Sequence, residues 1–260
     1  LQHMEKEQRR FSSLKRAIVG GSAAPRAMIE TFENVYGVEV FHAWGMTEMS
    51  PVGSIGSLKP ALGELKGAAL FDVKQKQGFA PFTVEMRIDD DEGQPRPWDG
   101  KTFGRLKVKG PAVAASYFKG EGGNILDSNG FFDTGDIATI DEHGYMAITD
   151  RAKDVIKSGG EWISSITLEN AAIAHPAVAE AAVIAAAHDK WQERPLLIIV
   201  RKPGQTLTRD EMLQFLQGKV ANWWIPDDVA FVHELPHTAT GKLHKLRLRE
   251  MFRDYRLPGG

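Results

Sequence analysis

The sequence predicts a chain of mixed α/β and α+β class: a βαβ layer, a small β-rich stretch, and then a separate α+β unit. Three observations carry that expectation. Strand, helix and strand signals follow one another with tight links between Ala17 and Phe41. From Val84 to Asp150 the apolar residues come in short alternating runs separated by turn residues. Past Asp150 helical spacing returns, interleaved with apolar strands. The boundary is placed near Asp150–Asp154, dividing the chain into 1–152 and 153–260.

In chain order, Ala17-Ile18-Val19 is a short apolar run closed by Gly20-Gly21. Pro25 suits a first helical turn, where its missing N–H costs nothing, and Met28, Ile29, Phe32, Val35 and Tyr36 recur at helical spacing. Gly37 fits the helix stop, and Val38–Phe41 resumes as a strand. Val84–Ile88 leads into the acidic run Asp89–Glu92, expected at a solvated hairpin tip, and Gly104–Lys109 alternates polar with apolar. Asp136–Ile140 and Tyr145–Thr149 flank Asp141-Glu142-His143-Gly144, a natural hairpin turn.

In the second part, Ser164 or Ser165 caps a helix through Leu168, Ala171, Ala172 and His175, which Pro176 ends. Val178–Ala187 and Leu196–Val200 read as strands, the first despite its alanines. Thr208 caps a helix with Met212, Leu213, Phe215, Leu216 and Val220 on one face; Asp228–Val232 is a strand. Lys245–Tyr255 reads as a basic amphipathic helix whose charges form a solvated face, with contact to a membrane surface as the alternative.

Composition narrows the function. The 260 residues are 42% hydrophobic and 25% charged, a globular balance. Lys plus Arg (32) nearly cancels Asp plus Glu (34), so there is no broad basic field for nucleic acid, and an anionic ligand has to be held by a few placed groups. With no cysteine, disulfides, thiolate nucleophiles and cysteine-bound zinc are excluded. The apolar run Ala181–Ala187 is too short to span a bilayer, and the expectation is a soluble, cytoplasmic protein.

Several motif matches fail. Gly100-Lys101-Thr102 resembles the end of a Walker loop, but Pro95 stands where the first glycine is required. Gly20-Gly21-Ser22 lacks the last glycine of a nucleophile elbow. The eight histidines show no metal-ligand spacing. What remains are five segments in order: Gly20–Pro25, Trp44-Gly45-Met46-Thr47-Glu48, Asp133-Thr134-Gly135-Asp136, Asp150–Asp154 with Ser158-Gly159-Gly160-Glu161, and Pro236–Lys242. Singly these are a strand exit, a turn, a charged face and a loop.

In this order and spacing they resemble the adenylate-forming superfamily of acyl-CoA synthetases, peptide-synthetase adenylation domains and luciferases. Ser158–Ser165 and Leu235–Lys242 look most like medium- to long-chain fatty-acyl-CoA ligases, and the resemblance runs from Arg16 to Arg256. It implies the remainder of a large adenylate-forming N-terminal domain followed by a small mobile C-terminal domain. The implied reaction joins a fatty acid to ATP, giving acyl-adenylate and pyrophosphate, and then transfers the acyl group to coenzyme A. Activation of an amino or aryl acid for a carrier protein, or a non-catalytic module of the same fold, are the alternatives. Members carry a Ser/Thr/Gly-rich phosphate loop upstream of the aromatic-Gly-x-Thr-Glu segment, and nothing like it precedes Trp44. The expectation is therefore the carboxyl-terminal portion of a longer enzyme, inactive by itself.

The resemblance also implies roles. Bringing an anionic acid against a polyanionic phosphate calls for placed cations and a metal rather than a protein nucleophile. Lys242 would be the catalytic cation, bridging the carboxylate and the α-phosphate, with Gly241 allowing close approach. Glu48 would hold Mg²⁺, a hard cation suited to carboxylate and phosphate oxygens, and Thr47 would bond a phosphate oxygen. Trp44 would lie against the adenine or act as a buried anchor, and His42 would meet the adenine amino edge. Gly20, Gly21 and Ser22 would pack on the purine, with Gly21 and Gly45 leaving room for the acyl group. Asp136, an acceptor-only carboxylate, would hold the ribose hydroxyls, and Arg151 would reach the ribose or the phosphate. Lys153 would be the hinge about which the small domain swings, bringing either Lys242 or the Ser158, Gly159, Gly160 and Glu161 loop, a coenzyme A channel, to the active site. Lys245 and Arg247 would be helix-face charges only.

Overall fold

The computed structural model of the chain describes residues 1–21, 24–238 and 243–258. The chain forms two compact units, Leu1–Ile148 and Thr149–Gly260. Among the described residues no helix is long and apolar enough to cross a membrane.

The first unit opens with α1 (Gln2–Lys6) and the expected βαβ layer. Strand β1 (Arg16–Val19) passes through α2 (Arg26–Glu30), which widens into a π-type turn over Thr31–Val35, to β2 (Glu39–Gly45). Strands β1 and β2 are parallel, from Arg16 opposite Glu39 to Val19 opposite His42. Gly37, at φ +65°, ends the helical stretch as expected. Strand β3 (Val52–Ile55) returns antiparallel to β2, and α3 (Gly67–Lys74) follows. Neither was legible in advance: β3 is short, and α3 starts at a lysine and a glycine with no side-chain cap. Ala24, Ile29, Val40 and Phe71 form the core here.

The β-rich stretch is an antiparallel sheet in the order β4 (Glu85–Asp89), β5 (Gly104–Lys109), β6 (Phe132–Ile140), β7 (Met146–Arg151). The alternation in β5 gives alternating burial, so that Leu106 and Val108 enter the core with Ile88, Ile140 and Met146. One expectation is corrected: Asp89 is fully buried, not part of a solvated tip. Arg87 and Asp89, two apart, share a strand face, and Arg87 and Lys107 both reach Asp89 Oδ2 at 3.0 Å. A second finding concerns Asp133–Asp136, which lies inside β6 rather than in a free turn. Arg105 pairs with Ile137 and Lys107 with Asp133, so Thr134, Gly135 and Asp136 all stand opposite Leu106. Gly135 takes φ +71°, which is what a bulge of this kind demands.

The second unit is a five-stranded sheet of β8 (Ile156–Ser158), β9 (Glu161–Ile163), β10 (Val178–His188), β11 (Gln192–Arg201) and β12 (Asp228–Val232), with β11 central. Helices α4 (Ser165–Ile173) and α5 (Arg209–Leu216) contribute Leu168, Ala172, Met212 and Leu216 to one core, and α6 (Lys245–Met251) contributes Leu248 to another. Strand β10 explains its own alanines: Ala181 and Val183 face the first core, while Ala182, Ile184 and Ala186 face the second. Burial on both faces overrides the helical preference of alanine. Ser164 caps α4, and Thr208 with Glu211 forms a capping box on α5. Helix α5 stops at Leu216 and Gly218 takes φ +74°, so Val220 packs from the following turn rather than from the helix. Helix α6 likewise ends at Met251, short of Tyr255.

Candidate functional site

In the first unit the parallel pairing brings the exits of β1 and β2 side by side. Gly20 lies so close to β2 that a Cβ there would sit 3.2 Å from the Ala43 carbonyl oxygen, whereas Gly21, at φ +79°, faces open space. Ser22 lies outside the described residues. His42 is buried, with Nδ1 2.9 Å from the Gln75 carbonyl and Nε2 accepting the Ala24 N–H at 3.2 Å. A nitrogen that accepts an N–H is unprotonated and one that faces a carbonyl bears the hydrogen, so the ring is the neutral Nδ1–H tautomer. It ties β2 to Ala24 on one side and Gln75 on the other.

Two residues on, Trp44 is 9% exposed and sits in the core, where Gly53 makes room for it: a Cβ on Gly53 would fall 2.3 Å from the indole. Its Nε1–H donates to Asp136 Oδ2 at 3.0 Å. Asp136 is 2% exposed and is turned toward β2 by the bulge in β6. The backbone around it is fixed as well, since its N–H donates to Thr134 Oγ1 and the Thr134 hydroxyl donates to the Leu106 carbonyl. Gly45 is required by the backbone, because a Cβ would fall 1.9 Å from the Pro51 carbonyl oxygen. Thr47 opens a short 3-10 turn at the surface, and Glu48 follows it. The Tyr117 hydroxyl donates to Glu48 Oε1 at 2.8 Å, and Ala114 N–H donates to the Glu48 carbonyl. The bond to Glu48 is the main reason the Tyr117 hydroxyl holds its proton above the usual range. Tyr117 was not singled out from the sequence, where nothing distinguishes it from a surface aromatic. Among the described residues no group of three or more His, Asp or Glu forms a metal cage. A lone carboxylate suits Mg²⁺ that takes its other oxygens from a nucleotide and water.

In the second unit, Arg151 ends β7 and Lys153 stands exposed in the turn after it, where Asp154 and Val155 N–H both donate to the Arg151 carbonyl. Gly159 and Gly160 form the two-residue tip of the β8–β9 hairpin, closed by Ser158 opposite Glu161. Both glycines have positive φ, +59° and +88°, the requirement of a type I′ turn. Residues 191–194 grip this tip. A Cβ on Gly159 would lie 2.8 Å from the Trp191 ring, and Gly159 N–H donates to the Trp191 carbonyl. Lys157 N–H donates to Glu193, and Arg194 donates to Ser158 Oγ, Asp227 and the Trp223 and Ile225 carbonyls.

Lys242 and Gly241 lie outside the described residues. The chain on either side of them is anchored, with His237 bridged to Leu243 and His244 N–H donating to the Pro236 carbonyl. A cavity of about 390 Å³ beside this anchor is lined by Arg151, Lys153, Asp154, Thr238, His244 and Lys245. The expectation that Lys245 is only a helix-face charge is corrected. Its side chain is 12% exposed, and the ammonium lies 2.7 Å from Glu169 Oε1 and 2.5 Å from Ser165 Oγ. Arg249 is also turned inward, onto Asp154 at 2.6 Å, so half of the basic face expected on α6 is taken up within the unit.

Two family models match the chain: the AMP-binding enzyme model over residues 1–118 and the AMP-binding enzyme C-terminal domain model over residues 167–242. The medium-chain-fatty-acid–CoA ligase of Ectopseudomonas oleovorans is 51% identical over 242 residues, 93% of this chain and 44% of the relative. The 3-methylmercaptopropionyl-CoA ligase of Ruegeria pomeroyi is 51% identical over 244 residues, 94% of this chain and 45% of the relative. The chain spans about half the length of the curated relatives it matches. Among solved structures, the o-succinylbenzoate CoA synthetase of Bacillus subtilis in complex with its acyl-adenylate intermediate superposes with a TM-score of 0.79 at 30% identity, covering 100% of this chain and 50% of that one. The same synthetase has been solved with ATP and a magnesium ion, at a TM-score of 0.77, 30% identity, and 95% and 49% of the two chains.

Proposed function

The chain belongs to the AMP-binding enzyme family, matching models of both its main and its carboxyl-terminal domains, and from that premise we propose that it is part of an AMP-forming acid–CoA ligase acting on a fatty acid. In the first half-reaction a carboxylate oxygen attacks the α-phosphorus of ATP and pyrophosphate leaves. In the second, the thiol sulfur of coenzyme A attacks the acyl carbonyl, AMP leaves and one proton is released. Both steps move negative charge between phosphate and carboxylate oxygens, so the protein's task is to place cations and donors there.

The observation that carries the reading is the aim of Asp136. A glycine bulge turns its carboxylate toward β2, where Trp44 holds one oxygen, and Ala43, the residue before Trp44, lies against Gly20. This suits a carboxylate meant to accept the paired hydroxyls of a ribose whose purine lies along the glycine turn. We assign Thr47 and Glu48 to the phosphate end, Glu48 as the carboxylate that would hold Mg²⁺. That ion, when bound, would neutralise phosphate charge. Arg151 and Lys242 would supply the protein's own cations. The type I′ tip Ser158–Glu161, bare of side chains at both glycines, would line the pantetheine path, and Lys153 would be the hinge.

The test is fatty-acid-dependent ATP–pyrophosphate exchange by the full polypeptide of its gene, followed by thioester formation on added coenzyme A. Exchange with fatty acids of medium or long chain supports the reading. Exchange with amino or aryl acids alone, or transfer only to a carrier protein, overturns the substrate class.

A further inference from the structure

The charges buried at the start of α6 have no part in the chemistry described above, yet they sit where the chain carrying Lys242 is anchored. Lys245, the first residue of α6, sets its ammonium against α4, reaching Glu169 Oε1 at 2.7 Å and Ser165 Oγ at 2.5 Å. Glu169 is pinned from the other side by Val183 N–H of β10 at 2.8 Å. Asp150, on β7 and almost wholly buried, accepts Ser165 N–H at 2.5 Å and Arg151 N–H at 2.8 Å. One turn further along α6, Arg249 bonds Asp154 at 2.6 Å. Two cations four residues apart on one face thus tie α6 down, Lys245 to Glu169 and Ser165 of α4 and Arg249 to Asp154, the residue after Lys153.

Such a cluster is an expensive way to gain stability. One ammonium pairs with the buried Glu169, and burial pushes both Asp150 and Glu169 up against the pull of Lys245. Apolar residues of the same volume commonly stabilise as well or better, whereas an ion network fixes one geometry. Lys245 comes three positions after Lys242, no more than about 11 Å of extended chain. With His237 bridged to Leu243, both ends of the Lys242 segment depend on where α6 begins.

We propose that Lys245 is a positioning residue for the adenylation half-reaction: clamped to Glu169 and Ser165 of α4, it sets where Lys242 stands relative to the hinge. This rests on the functional reading above. The test uses the full polypeptide and measures the two half-reactions separately, pyrophosphate exchange with a fatty acid and thioester formation from supplied acyl-adenylate. Lys245→Met is expected to lower exchange by about 10- to 100-fold, the order of loss from a misplacement of about 1 Å, and to leave the thioester step within about twofold. Lys245→Arg, which keeps the charge, restores most of the exchange. Glu169→Gln, which keeps the shape, gives the same selective loss in smaller measure and serves where the methionine variant does not fold. Equal losses in both half-reactions, or none in exchange, overturn the proposal. Lys242→Ala run alongside separates the two levels: if it leaves exchange intact, the functional reading itself fails.

Discussion

The indole N–H of Trp44 donates to Oδ2 of Asp136 across 3.0 Å of protein interior, joining β2 to the bulged strand β6. The bond makes an aromatic residue expected to face a purine into the support of the carboxylate expected to hold the ribose. Both partners are almost fully buried, so each depends on the other.

Removing that donor is therefore costly. Trp44→Phe is expected to destabilise the chain by about 1.5–3 kcal/mol, the usual worth of a hydrogen bond to a charged group, and somewhat more if the smaller ring leaves a void. Urea unfolding of Trp44→Phe, Asp136→Asn and the double variant measures the coupling, expected at about 1 kcal/mol or more. Strict additivity of the two changes would show that the bond contributes nothing.

The hairpin tip at Gly159 offers a second check. Alanine there has to hold φ near +59°, and its Cβ meets the Trp191 ring at 2.8 Å. Left-handed backbone alone costs roughly 1–2 kcal/mol for a residue with a Cβ. Gly159→Ala is expected to be worse than that in the wild-type background and to fall toward it when Trp191 is also alanine. The same penalty in both backgrounds would mean that the indole simply moves aside.

Much of this architecture could be read from residue order. The βαβ layer followed from apolar runs punctuated by glycine and proline, and β10 from an unbroken apolar run whose alanines also suit a helix, a choice that the two cores on its faces decide. Gly20-Gly21 and Trp44-Gly45 sit at strand ends, where their motifs stand out in the sequence, whereas Asp136 lies inside β6 and the bulge that aims it shows only in the pairing with β5. What stayed hidden depends on contacts between distant residues. Asp89 reads as one acid among several until Lys107 arrives from the neighbouring strand, and Lys245 reads as a surface charge until Glu169 and Ser165 meet it. The β8–β9 hairpin was hidden for another reason. Its two glycines suggested a path for a ligand, and the same positive φ values close a turn.

Alkaline pH probes the far side of the second unit. The Tyr255 hydroxyl donates to Asp228 Oδ2 at 2.7 Å, and burial together with that bond pushes its pKa up to about 12 from an ordinary 10.0. The folded chain therefore holds the proton more tightly than the unfolded one. The stability this contributes is present below pH 10 and is lost as pH rises through about 12. Tyr255→Phe is expected to be less stable than wild type at pH 8 by about 1 kcal/mol, with the difference shrinking steadily above pH 10. A difference unchanged across that range would contradict the shift.

The most direct measurement concerns Lys242. In the full polypeptide, Lys242→Ala is compared with wild type for fatty-acid-dependent ATP–pyrophosphate exchange and, separately, for thioester formation from supplied acyl-adenylate and coenzyme A. The predicted result is exchange reduced by about 100-fold or more, the scale of losing a placed charge at the reacting phosphate, with the thioester step nearly untouched. Exchange at the wild-type rate would contradict the account at its centre.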